Sequence, residues 1–146
     1  LKPYSDWETI SKEAKRLYDI FCEAVKTPIP NKLAVRYINA INFPPEKIDL
    51  DDYFEAAPKV SEKLPQSMLS FSSQIVIPYD DNNAIAIIKL LSSGSKPNYR
   101  IIFDIDVITA IIEPENDIWL VLASLKQIEN DIFFLSLKHK TLEKFE

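Results

Sequence analysis

The chain has 146 residues, enough for one domain that buries a sizeable core without disulfides or metals. Its formal net charge of -5 argues against nucleic acid as a partner, because phosphate recognition needs clustered lysine and arginine. The single cysteine, Cys22, excludes an intramolecular disulfide and a multi-cysteine zinc site, and it favours a reducing, cytoplasmic location. We expect no membrane partner either, since no apolar run approaches the roughly 18 residues of a spanning helix.

The residue inventory removes several kinds of catalytic or cofactor site. One glycine cannot build the phosphate-binding loop of P-loop enzymes or the dinucleotide-binding turn, which both need several glycines. One histidine, in a charged "KHK" stretch, gives little basis for a nucleophilic dyad or triad. We therefore predict no cofactor, no metal site and no catalytic residue. The inventory favours a protein that is not an enzyme, without excluding an enzyme.

The first element is an amphipathic helix. Apolar and aromatic residues recur at three- and four-residue spacings from Trp7 to Val25, which predicts a helix whose stripe packs in a core. Ser5 and Glu8 have the spacing of a capping box, and Pro28 is a stop signal.

The next element, residues 33 to 43, is apolar on both alternating faces, which predicts a central or nearly central strand. "FPPEK" ends it, and the acidic segment around Asp49 predicts a short helix. An extended connector follows over 58 to 65. The strand predicted over 33 to 43 contains two polar residues, Arg36 and Asn39, that need hydrogen-bond or ion-pair partners.

Three further strands are predicted from "LSFSSQIVIPY", "AIAIIKLLS" and "NYRIIFDIDVIT". The first connection, "DDNN", suits a tight hairpin because Asn and Asp tolerate positive φ, and the second, "SGSKP", holds the only glycine. Such short connections predict an antiparallel meander.

A second long helix is predicted over 114 to 134, with a stripe from Ile118 to Ile132, and Thr141 would cap a last short turn that packs Leu142 and Phe145. The expected fold class is α+β, with a mainly antiparallel sheet of about four strands and two long helices on one face. The chain begins at Leu1 rather than Met, so we expect residues 1–146 to be a single domain from a longer protein.

The strongest candidate site is a polar network on one sheet face. Alternation places Arg100, Asp104 and Asp106 on one side of their strand, while the buried side carries its aromatic and branched residues. Two carboxylates so close need a cation, and Arg36 can supply a two-pronged guanidinium. The network either satisfies a half-covered face structurally or forms the polar floor of a ligand or metal site. Asn39, on the other face of its strand, is expected to make a local structural hydrogen bond.

Several of these segments together resemble a family of uncharacterised, sporadically distributed prokaryotic conserved hypothetical proteins with a "RYIN" motif. The similar segments are the "Y..W" entry, "RYIN.I", "DL..Y", "DID" and the closing "FF.S…KT…F", beginning at Tyr4, Arg36, Asp49, Asp104 and Phe133. Members are typically longer, so the resemblance implies that this chain is their C-terminal portion. The family carries no assigned activity and no catalytic residues to transfer.

These features favour a non-enzymatic protein-interaction or self-associating module, with a protein partner or a homo-oligomer. On the face that carries the network, isoleucines such as Ile38, Ile102 and Ile108 would form an exposed apolar patch unless something covers them. The alternative is a small-ligand-binding or metal-dependent hydrolytic domain that uses the Asp104 and Asp106 pair with Arg36.

Overall fold

The computed structural model describes residues 6–26, 30–43, 49–66, 68–93, 99–110 and 117–143. It confirms the α+β class and consists of two compact units, Leu1–Pro30 and Asn31–Glu146. The helices and strands are α1 (Trp7–Val25), β1 (Leu33–Asn42), β2 (Ser72–Tyr79), β3 (Ala84–Ser93), β4 (Arg100–Thr109), α2 (Ile118–Ser136) and α3 (His139–Leu142). Two 3₁₀ turns, Leu50–Asp52 and Asp80–Asn82, complete the set.

Helix α1 forms the first unit. Asp6 caps it by accepting a hydrogen bond from the Thr9 amide at 2.6 Å, whereas Ser5 and Pro28 of the predicted signals lie outside the described residues. Lys26 ends the helix in the left-handed region at a φ of 56°. None of the described residues of α1 is buried, and its large apolar side chains stay exposed.

The second unit is built on a four-stranded antiparallel sheet in the order β1-β4-β3-β2, which confirms the meander of β2, β3 and β4. Strand β1 lies at an edge of the sheet, so the prediction of a central or nearly central strand is wrong. Its apolar residues on both faces misled the prediction, because a short side chain such as Ala34 or Ala40 sits on an exposed surface without difficulty.

The "DDNN" connection behaves as its composition predicts. A 3₁₀ turn over Asp80–Asn82 is followed by Asn83 at a φ of 48°, the left-handed conformation that asparagine tolerates. The Asn83 amide donates to the Asp80 carbonyl at 3.1 Å, which closes the β2–β3 hairpin. The "SGSKP" connection lies outside the described residues, apart from the end of β3.

Helix α2 covers one face of the β1–β4 pair. Its buried stripe, Leu125, Ile128 and Ile132, meets the odd-numbered side chains of β4, which are all buried, and Phe133 stacks on Phe103 with ring centroids 6.1 Å apart. Asp117 caps the helix by accepting from the Trp119 amide at 2.8 Å, while Pro114 lies outside the described residues. This layer is the hydrophobic core of the second unit.

The predicted short helix near Asp49 is a 3₁₀ turn, and the end of the chain holds it in place. The Thr141 hydroxyl donates to the Tyr53 carbonyl at 2.6 Å, and the Lys138 ammonium donates to the Asp51 carbonyl at 2.6 Å. Thr141 lies inside α3 and is fully buried, so the prediction that it caps the last turn is wrong. The predicted contact of Phe145 lies outside the described residues.

A core substitution tests this layer arrangement. Ile105→Ala should lower the free energy of unfolding by about 3 kcal/mol, because it leaves a cavity at a fully buried β4 position. Urea denaturation followed by circular dichroism measures this change. Ile38→Ala, at an exposed position of the same sheet, is the matched control and should cost less than about 1 kcal/mol. Equal costs at the two positions would contradict the assignment of the faces.

Candidate functional site

The side of the sheet opposite α2 carries the residues that the sequence singled out. We call this side the open face and define it by the alternate residues of the four strands, Arg36, Ile38, Arg100, Ile102, Asp104, Asp106, Ile108, Ile85, Ile87, Lys89, Leu91, Gln74 and Val76. The Ile38 residue is 60 % exposed. The open face is thus a mixed surface of charged and branched apolar side chains.

An ion pair between Arg36 and Asp104 lies at the centre of the polar network. Arg36 Nε donates to Asp104 Oδ1 at 2.8 Å, and Arg36 Nη2 donates to Asp104 Oδ2 at 2.7 Å. The Asp104 side chain is 6 % exposed and that of Arg36 is 48 % exposed. The hydrogen bonding of Arg36 to the Asp104 carboxylate, followed by the negative charge of that carboxylate, raises the pKa of Arg36 above its usual range. The predicted two-pronged contact therefore forms.

The ion pair runs diagonally across the two strands. The register places Arg36 directly opposite Asp106 and Ile38 directly opposite Asp104, yet the guanidinium binds Asp104. Asp106 Oδ1 is buried and has no hydrogen-bond partner among the described residues. The negative charge of Asp106 still acts on Arg36, since it adds to the rise in the arginine pKa. Arg36 thus forms hydrogen bonds with Asp104 and interacts electrostatically with Asp106.

The structure does not bring Arg100 into this network. Arg100 opens β4 opposite Asn42 and is exposed, four residues along the strand from Asp104. At about 3.4 Å per residue this spacing exceeds 13 Å. Among the described residues, the ion pairs of the open face do not include Arg100.

Asn39 lies on the face that α2 covers, as its position in the alternation predicts. Its side-chain Nδ2 donates to the Phe103 carbonyl of β4 at 3.3 Å. The register places Asn39 opposite Phe103, so the bond ties the edge strand to its neighbour. The geometry agrees with the structural hydrogen bond that the sequence predicts.

A second charged cluster escaped the sequence analysis. Lys126 Nζ on α2 lies 2.5 Å from Glu129 Oε2 and 2.7 Å from Asn130 Oδ1, and 3.9 Å from the centre of the Tyr37 ring on β1. The side chains of Lys126 and Glu129 are 12 % and 3 % exposed. The sequence contained a signal that Glu129 is buried, because Glu129 follows Leu125 by four residues and so lies on the same side of α2 as the buried stripe.

An apolar groove lies on the covered side of the sheet, beside α2. Its volume is about 240 Å³, and it is lined mainly by branched and aromatic side chains, including Phe54, Ile75, Ile77, Ile88, Leu90 and Leu135. The groove exists because α2 packs on β1 and β4 and leaves the face of β2 uncovered. The groove and the Arg36–Asp104 pair therefore lie on opposite faces of the sheet.

The arrangement limits the chemistry of the polar network. Each oxygen of Asp104 already accepts one charge-assisted hydrogen bond from Arg36, and the side chain is only 6 % exposed, so little of this carboxylate is accessible to a ligand or metal. Within the described ranges, no group of three or more His, Cys, Asp or Glu side chains could hold a metal ion. The half-exposed guanidinium remains available for contact from outside.

The chain matches no protein-family model, and comparison with curated proteins and with solved structures likewise gives no match. In the described part of the chain, neither long helix combines the length and the apolar character needed to cross a bilayer.

A double-mutant cycle tests the ion pair. Arg36→Met should destabilise the protein more than Asp104→Leu does, because it leaves a buried carboxylate without its cation, whereas an exposed arginine regains water. The double variant should be less destabilised than the sum of the two single variants. Urea midpoints of the four proteins measure both effects. If the stability losses of the two single variants simply added in the double variant, Arg36 and Asp104 would have no coupling free energy.

The Lys126 cluster gives a separate stability prediction. Lys126→Met should lower the free energy of unfolding by about 3 kcal/mol, because Glu129 then stays buried without a cation. Lys12→Met is the matched control, since its ion pair with Glu8 on α1 is exposed and should contribute almost nothing. Thermal or urea denaturation measures both variants. A Lys126→Met protein as stable as the control would show that Glu129 does not depend on Lys126.

Proposed function

We propose that this chain is a non-enzymatic protein-interaction module that self-associates through the open face. The observation that carries the proposal is the exposure of apolar side chains around an anchored arginine: Ile38 is 60 % exposed beside Arg36, and Val76 and Ile85 are exposed on the same side. Large exposed apolar areas with a polar frame mark protein-binding surfaces. The proposal includes a cytoplasmic location, which the single Cys22 favours.

The size of the open face suits a second copy of the chain. Four strands about 4.8 Å apart and some 30 Å long present roughly 600 Å². Two such faces together bury on the order of 1,200 Å², at the lower end of stable protein interfaces. We expect a dimer of moderate affinity, whose population depends on concentration.

The charges of the open face are also compatible with self-association. It carries the cations Arg36, Lys89 and Arg100 and the carboxylates Asp104 and Asp106. In a twofold contact each copy presents the same patch, so a cation of one copy can face a carboxylate of the other. Arg36 has the features of an interface anchor, because its fork is held by Asp104 while about half of its side chain stays accessible.

The alternative function, a ligand-binding or metal-dependent hydrolytic domain, has one observation in its favour. Asp106 Oδ1 is buried without a hydrogen-bond partner among the described residues, and such an atom can await a ligand. Both oxygens of its neighbour Asp104 accept hydrogen bonds from Arg36, however, and that side chain is only 6 % exposed, so Asp104 offers little access to a ligand. The balance of these contacts favours recognition over catalysis.

Substitution of Ile38 tests the proposal. Ile38→Lys should weaken self-association on the order of tenfold or more, because it replaces the most exposed apolar side chain of the open face with a solvated charge. Sedimentation velocity and native mass spectrometry over a wide concentration range measure the oligomer. The lysine would lie opposite Asp104, so the folded monomer should tolerate it.

Leu120→Lys is the matched control, since Leu120 is an exposed apolar residue on α2 rather than on the open face. It should leave the association constant unchanged. A wild-type protein that is monomeric at every concentration, or an Ile38→Lys protein that associates as well as the wild type, contradicts the proposal. A small molecule retained by the wild type and lost in Asp106→Asn would instead support the alternative.

A further inference from the structure

Strand β2 forms the second edge of the sheet and stands out by its exposure. Ile75 is 49 % exposed and Val76 is 53 % exposed, although they point to opposite faces of the sheet. Ile77 is exposed as well. A branched apolar run that stays accessible on both faces is unusual for a strand in a monomer.

The backbone of β2 shows which groups point away from the sheet. The Ser92 amide donates to the Phe71 carbonyl at 3.0 Å, in register with the β2–β3 ladder. Because bonded and non-bonded residues alternate in an antiparallel pair, the odd-numbered residues of β2 bond to β3. Ser72, Gln74 and Val76 therefore direct their amides and carbonyls to the free edge. Pro78, which has no N–H, also falls on this side, where its missing donor does not weaken the ladder.

The β2 edge carries little of the usual protection against strand pairing, since Pro78, next to its last residue, is the one such device that the strand contains. Its sequence, "SSQIVIPY", contains no charged residue, whereas natural edge strands commonly carry lysine or an inward-pointing charge. The opposite edge, β1, does carry a charge, since Arg36 projects from it. The two edges of this sheet therefore differ in their readiness to pair with another chain.

We propose that β2 pairs with β2 of a second copy in antiparallel orientation about a twofold axis at Ile75, so that two sheets join into one of eight strands. In this register Gln74 of each copy faces Val76 of the other, and Ile75 faces Ile75. The amides of Ser72, Gln74 and Val76 each meet a carbonyl of the other strand. Ser72 faces Pro78, so the Ser72 carbonyl is the one edge-facing group of β2 without a donor in this register. The match of the remaining edge groups of the strand to themselves is the reason to assign a second copy as the occupant.

The groove beside α2 supports this assignment. Ile75 and Ile77 line the groove and border the β2 edge, so a twofold axis at Ile75 brings the grooves of the two copies side by side. Leu135 of α2, which is exposed, lines the same groove. Pairing of the edges then buries apolar side chains as well as backbone groups, which adds to the small area that an eight-residue strand contact provides.

This contact is distinct from the one proposed for the open face. The edge pairing uses the outer backbone of β2 and the groove side of Ile75, whereas the open-face contact centres on Arg36 and Ile38 of the other edge strand. Either contact alone gives a dimer, and both together give a closed tetramer of stacked sheets when the two twofold axes intersect at a right angle. Substitutions at Ile38 and at Ile75 therefore report on the two contacts separately.

A charge-swap experiment on the full chain tests the edge pairing. Ile75→Lys and Ile75→Glu should each weaken edge dimerisation on the order of tenfold or more, because two like charges then meet at the axis. An equimolar mixture of the two variants should recover a heterodimer, since lysine faces glutamate. Sedimentation velocity in the Ile38→Lys background isolates this contact from the open face. Circular dichroism checks the fold, which an exposed position should tolerate.

Cysteine cross-linking tests the register. Ile75 faces Ile75 as a non-hydrogen-bonded pair, with Cα atoms about 4.5 Å apart, so Ile75→Cys in a Cys22→Ser background should give a disulfide-linked dimer on mild oxidation. Ile77→Cys is the matched control on the same face. Its equivalent in the other copy lies about 13 Å away in this register, so it should not cross-link.

The outcomes separate the two proposals. Recovery of association in the mixture, together with cross-linking at position 75 alone, supports the edge pairing. A heterodimer that does not form, or cross-linking at position 77 as efficient as at 75, overturns it whether or not the open face associates. Weakened open-face association in Ile38→Lys, with the edge dimer retained, supports both contacts. An edge dimer in a protein whose open face never associates overturns only the proposed function.

Discussion

The packing of α2 on the β1–β4 pair is the contact on which the rest of this structure depends. It assigns the odd-numbered residues of both strands to the core and leaves their even-numbered residues on the open face. Phe103 and Asn39 therefore meet the helix, while Arg36 and Asp104 meet each other across the strands. Because α2 is one helix wide, it leaves β2 uncovered on the same side, which creates the apolar groove. The open face and the apolar groove beside β2 both exist because α2 covers one face of the sheet and only part of that face.

The alternation of the sequence was enough to predict much of this arrangement. It placed Asp104 and Asp106 with Arg36 on one face and Asn39 on the other, because the two-residue period of a strand is a local property. Which carboxylate Arg36 binds depends instead on the register and on the rotamers of both side chains. The register puts Asp106 opposite Arg36, yet the bidentate geometry is reached on the diagonal, with Asp104. Neither fact can be read from the sequence alone.

The wrong position predicted for β1 has a physical cause. Apolar residues on both faces show that a strand is suited to burial, but not that other strands pair with both of its edges. Strand β1 has the apolar content of a central strand at an edge position. The Lys126 and Glu129 pair was missed for the converse reason. Charged residues three apart on a helix usually mark a solvated side, but here they face Tyr37.

The state of Asp104 is the strongest argument for recognition rather than catalysis on the open face. A carboxylate that acts as a base or binds a metal must offer an accessible lone pair. Asp104 is almost fully buried, and each of its oxygens has one lone pair occupied by the same guanidinium, so the remaining lone pairs are poorly accessible to a substrate or metal. The two hydrogen bonds hold Arg36 in one orientation while leaving half of its side chain accessible. An arginine fixed in this way loses little conformational entropy when a partner binds, which is the property that favours it at the centre of an interface.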